Sequence, residues 1–188
     1  MMSAISDPLS SAIVVLLRGV NNVGSRRVTM AALKSAVETM GFKNVRTVLA
    51  SGNVIVEAPR CGPDLGRRIA VGLEKALGFP VTVLIRTVRD LRAIVRSEPF
   101  KALPSGPDVQ QYVTFMEGKG TAGAGGRLPP PPKGVSIVRA DPGEIYSIVD
   151  LARGGRTPDL MRYLDRSLGP AGTTRNWRTV VKLAGGEP

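Results

Sequence analysis

Apolar residues run without interruption from Ala12 to Leu17, a pattern that suits a strand covered on both faces better than one with a wet side. A Gly/Asn-rich loop over 18–28 follows. Thr29 then reads as the cap of a helix reaching about Met40, with Met30, Leu33, Val37 and Met40 on one face, and Gly41 stops it. Residues 45–50 and 54–58 read as two strands around Ser51-Gly52-Asn53, a tight hairpin turn. After a Pro-bounded break at 59–63, Asp64 opens a second helix to Leu77, with Ile69, Leu73 and Leu77 facing inward, and Gly78 closes it. A strand over 80–85 and a helix over 87–97, ended by Pro99, complete the first half. The order β-α-β-β-α-β is the split βαβ, ferredoxin-like pattern.

The second half repeats this outline less regularly. Residues 110–116 predict a strand. The stretch 118–134 is rich in Gly and carries four consecutive Pro, so it reads as a loop or linker. Strands at 135–140 and 144–150 flank the turn Asp141-Pro142-Gly143. Thr157 as cap and Pro158 in the first turn start a helix to about Leu168. A short extended piece at 173–175 leads into a last helix over 176–184. The expected fold is α+β: two packed ferredoxin-like halves, 11–100 and 101–188, behind a loose tail at 1–10, the second half having a linker in place of its first crossover helix.

Composition narrows the chemistry. The 188 residues contain no His, so Ser–His and Cys–His pairs and His-ligated metals are excluded. One Cys, Cys61, allows no internal disulfide and no cysteine metal cluster, and suits a reducing compartment. The run at 12–17 is too short to span a membrane, and Asp7 before it, with no basic residue, makes a poor secretory leader. A cytoplasmic location is expected, with no metal and no cofactor. The formal net charge is +11. It is spread along the chain rather than held in a basic arm, which suggests an anionic partner met by a face, or simply a solvated basic surface.

Four segments in order, LLRGVNNVGSRRVTMAAL, VRTVLASGNVIVEA, GFPVTVLIRTVRDLRAIVRSEPF and TTRNWRTVVKL, resemble the bacterial family called domain of unknown function 1697. Its members read L-R-G-I-N-V-G-G after the first strand. Here Arg18, Gly19 and Asn21 match, Val20 replaces Ile, and Asn22-Val23 stand where Val-Gly is usual. Ser51-Gly52-Asn53, Pro99-Phe100 and Thr174-Arg175-Asn176-Trp177 match as well. The resemblance implies two ferredoxin-like subdomains, a helix in place of the Gly/Pro-rich stretch in most members, and no established activity.

The loop 19–27 is the leading candidate for chemistry. It follows a strand, opens a helix and reads G-x-x-x-x-G-S-R-R. A phosphate-cradling P-loop needs Lys where Ser25 stands, so a nucleoside triphosphatase is not expected. Gly19, Asn21, Ser25 and Arg26 could still form a generic anion site at a helix start, or a plain turn with surface arginines. Arg18, ending an apolar strand, needs a carboxylate or a ligand anion if it is buried, or serves as a structural pair. Ser51 and Asn53 are turn residues or ligand hydrogen bonders. Arg175 and Asn176 flank Trp177, the single Trp, which would anchor the last helix to the body. They could complete a polar site beside the Arg18 loop, at the junction of the halves. Arg89, Arg92 and Arg96 share one helix face, either a phosphate-tracking stripe or a solvated one.

These features support a binding module for a phosphate- or carboxylate-bearing small molecule. Weakly specific binding of nucleic-acid backbones is a second reading, although the first-half central strands lack the stacking aromatics of an RNA-recognition sheet. A third is an enzyme with a His-free, Arg-lined site, for which Asp150, Tyr146 and Tyr163 are available without assigned roles.

Overall fold

The computed structural model describes residues 12–20, 28–49, 52–57, 62, 64–117, 128–169 and 172–187. The tail at 1–10, Asn21, Ser25, Arg26, Ser51, Cys61 and the Gly-rich part of the linker, 118–127, lie outside these residues. The chain divides into two compact units, Met1–Ala93 with Val181–Pro188, and Ile94–Val180.

In the first unit β1 (Ala12–Arg18) and β3 (Asn53–Glu57) form the centre of an antiparallel sheet, with β2 (Lys43–Thr47) and β4 (Thr82–Thr87) at its edges, in the order β2-β3-β1-β4. Ile13, Val15 and Leu17 face α1 (Met30–Thr39) and α2 (Leu65–Leu77), whose Leu33, Val37, Ile69 and Leu73 close one core. Val14 and Leu16 point to the opposite face and are fully buried too, as the unbroken apolar run requires. Thr29 caps α1, its hydroxyl accepting the Ala32 N–H at 3.1 Å. Gly78 ends α2 in the left-handed conformation. α3 (Val88–Arg96) starts with a reciprocal pair: Thr87 Oγ1 accepts the Asp90 N–H, and Asp90 Oδ2 accepts the Thr87 N–H.

The expected three-residue turn after β2 is a longer connection. Leu49 takes a left-handed backbone at φ 57, which breaks the strand after Thr47, and Asn53 already belongs to β3. β2 also begins earlier than hydropathy suggests, at Lys43, and its register against β3 slips between Lys43 and Arg46. A charged, bulged strand of this kind protects a sheet edge.

The second unit holds β5 (Val109–Phe115), β6 (Val135–Asp141), β7 (Glu144–Asp150) and β8 (Thr173–Asn176) in the order β6-β7-β5-β8, again antiparallel. α4 (Thr157–Leu168) covers one face, packing Leu160, Tyr163 and Leu164 on Tyr112, Ile145 and Val149. Thr157 is not the cap of α4. Arg156 holds the extended cap conformation, and the Thr157 hydroxyl lies 2.7 Å from that of Tyr112, tying the first turn of the helix to β5. Gly134 and Gly155 touch backbone to backbone; a Cβ on either would meet the other within 2.2 Å, so only glycine fits. α5 (Trp177–Leu183) follows β8 directly. The molecule is thus α+β with two four-stranded antiparallel sheets and five helices among the described residues. No described helix is long and apolar enough to cross a membrane.

Candidate functional site

In the first unit the end of β1 lies against the β2–β3 connection. The Leu17 N–H donates to Gly52 O at 2.8 Å, and Gly52, at φ 69, presses so closely on Leu17 that a Cβ would sit 3.0 Å from it. Leu16 faces Asn53 across the ladder. Arg18 and Gly19 are therefore brought beside Gly52 and Asn53. Arg18 is half-buried at the end of this central strand, opposite Thr82 of β4. Asn53 is fully buried; its Nδ2 donates to Val48 O at 3.0 Å while its carbonyl accepts the Val48 N–H. Those two bonds hold the connection together.

In the second unit the corner between β8 and α5 carries Arg175 and Asn176. Asn176 Oδ1 accepts the Arg178 N–H at 3.0 Å, the geometry of a helix N-cap. Arg175 is only 7% exposed, on the sheet face opposite α4. Its Nη1 donates to Thr173 Oγ1 at 2.7 Å and to Thr174 O at 2.9 Å. Loss of water around the guanidinium lowers its pKa to about 10.

The ladder sets Arg175 opposite Val113, Val113 opposite Tyr146, and Tyr146 opposite Arg139. Two cations thus stand at the ends of one cross-strand row. Arg139 stacks 4.4 Å over the Tyr146 ring and pairs with Asp141 at 2.8 Å. Burial raises the pKa of Tyr146, partly offset by its hydrogen bond with Arg139. Phe100 packs edge-on against both Tyr146, at 6.2 Å between centroids, and Trp177, at 5.2 Å. Trp177 anchors the start of α5 to its own unit, as its size predicts.

Arg139 escaped the reading of the sequence. Strict alternation puts it on the α4 face with Ile137, but the register slips between the two residues and turns Arg139 over Tyr146. Of the arginine stripe on α3, Arg92 is tied down: its Nε donates to Ala184 O at 3.1 Å. Among the described residues no group of three His, Cys, Asp or Glu is placed to hold a metal ion.

The family described as "Protein of unknown function (DUF1697)" matches residues 11–146. The chain belongs to this family. A conserved bacterial protein from Streptococcus pneumoniae, SP0830, has a similar structure: TM-score 0.61 at 16% identity, covering 93% of this chain and 97% of that one. At that identity the likeness speaks for the fold. No curated protein matches the sequence.

Proposed function

We propose that this family member binds a small phosphate- or carboxylate-bearing anion, with Arg175 as the principal contact. The burial of Arg175 carries the reading. A guanidinium short of water gains more from an anion than an exposed one, because charge–charge energy grows as the effective dielectric falls. Arg139 adds a second cation on the same row. We infer a separate anion contact within the first unit at Arg18 and Gly19, at the start of the loop that carries Asn21, Ser25 and Arg26. Asn53 and Asn176 act through the backbone they hold.

The frame fits the proposal. We infer that each sheet is a ferredoxin-like unit, 11–100 and 101–188, the second irregular. The order edge-centre-centre-edge, β2-β3-β1-β4 and β6-β7-β5-β8, supports this. The single Cys supports a cytoplasmic setting. Base stacking is poorly served: the aromatics on β5 and β7 that face away from α4, Phe115 and Tyr146, are both buried.

A thermal-shift series tests the proposal, using phosphate, nucleotides, sugar phosphates and short carboxylates at low and moderate salt. Ligands of the folded state raise Tm by mass action. One compound should raise Tm and keep its effect in added salt. Arg175→Met should weaken it about tenfold, the loss of one charge-assisted contact, and Arg18→Ala should leave binding at Arg175 unchanged. Unaltered binding in Arg175→Met would sink the proposal.

A further inference from the structure

A half-open groove of about 480 Å³ lies in the first unit, between the end of α1 and the outer side of α2. Its accessible apolar lining is Met40, Phe42 and Val71, while Ile69 lies fully buried beneath it. Gly41, at φ 88, turns the chain out of α1 so that Phe42 enters the groove wall. The α2 rim bears Arg67, Arg68 and Val71. Val71 is 62% exposed, although the same helix buries Leu65, Ile69 and Leu73 completely or nearly so.

Gly72 lies within α2, where glycine is unfavourable. Its reason is steric: a Cβ there would fall 2.2 Å from Met40 Sδ. The missing side chain seats the thioether against the helix, and an unbranched, polarizable Met can adjust to an apolar guest. The rim charge is weakly compensated. Arg67 Nε sits 3.9 Å from Asp64 Oδ1 with both side chains largely in solvent, and Arg68 has no ion-pair partner among the described residues.

We propose that this groove binds a small amphipathic anion, a free alkanoate of medium chain length, with its tail on Met40 and Phe42, beside Val71, and its carboxylate on Arg68. Charge complementarity assigns the head group, and the apolar lining assigns the tail. The volume is that of a small-molecule site. A membrane or a protein partner would need a wider apolar surface. Here Val71 stands alone, the other exposed large apolar residues among those described being Leu49 and Leu151, neither of which lines the groove. The site makes no use of Arg175.

Methyl NMR on the full chain labelled at methionine Cε gives a local readout. Met40→Leu, which conserves volume, identifies the Met40 resonance. Titration with decanoate should shift that resonance saturably and leave those of Met116 and Met161, in the second unit, in place. Decan-1-ol, which lacks the charge, should bind about tenfold more weakly, as should decanoate to Arg68→Ala. Gly72→Ala, which drives the Met40 sulfur into the groove, should weaken binding at least as much. Arg68 is exposed, so its variant keeps the test valid if Gly72→Ala does not fold. The proposal fails if decanoate leaves Met40 unmoved, if decanol binds as well, if Arg68→Ala binds unchanged, or if anionic vesicles alone shift the resonance.

Discussion

Arg175 illustrates what burial does to one side chain. Its pKa falls to about 10 because the charged form has lost water, while the unfolded chain keeps the proton up to the ordinary guanidinium range. Above about pH 10, therefore, the unfolded state binds more protons than the folded one, and stability attributable to this residue rises with pH. Urea denaturation of the wild type and of Arg175→Met from about pH 9 to pH 11 isolates the effect. The difference between the two should move in favour of the wild type as pH rises; a flat difference would mean that the guanidinium remains hydrated in the fold. Asn53 makes the opposite point. Its place in an apolar ladder opposite Leu16 looks unfavourable until its amide is seen to hold the Val48 carbonyl, which leaves the donor satisfied.

Helix starts decide several boundaries, and they differ in how openly the chain announces them. Thr29 and Thr87 are capping residues at the positions their type suggests. Thr157 has the same type in the same context, yet its hydroxyl is taken by Tyr112, from a strand 45 residues away. That choice is tertiary and no local pattern reveals it. Asn176 performs the capping of α5, a helix of 7 residues with little propensity to form alone. Asn176→Ala should cost about 1 kcal/mol in urea denaturation and Asn176→Asp much less. Equal stability of all three proteins would show that the contact contributes nothing.

The molecule carries +11 spread over both halves of its sequence, and a field of this kind attracts any polyanion. A short RNA should therefore bind, but through phosphates alone. Its affinity should fall at least tenfold between about 50 and 200 mM salt and should not depend on sequence, as counterion release requires. Fluorescence anisotropy with two unrelated RNAs of equal length reads both properties. Sequence-selective, salt-tolerant binding would displace the small-anion reading in favour of a nucleic-acid function.

Element types and order were legible in the sequence because they depend on short-range physics. An unbroken apolar run marked β1, apolar periodicity marked α1 and α2, Thr157 and Pro158 marked the start of α4, and Gly and Pro marked several ends. The same pattern, repeated at lower regularity, announced a second sheet, found with the same strand order as the first. The candidate cations Arg18 and Arg175 were legible as charges at strand ends, but the depth at which Arg175 lies was not. Burial depends on which chain segments cover a face, and alternation along one strand carries no such information. Arg139 shows the limit most plainly. One extra residue in β6 moves it from the face its number predicts to the ring of Tyr146. A bulge costs little locally and is chosen by the partner strand, so only the folded sheet could decide it. The groove beside Gly72 arose in the same way: the sequence held a glycine in a helix and a methionine 32 positions earlier, and only their packing made one the seat of the other.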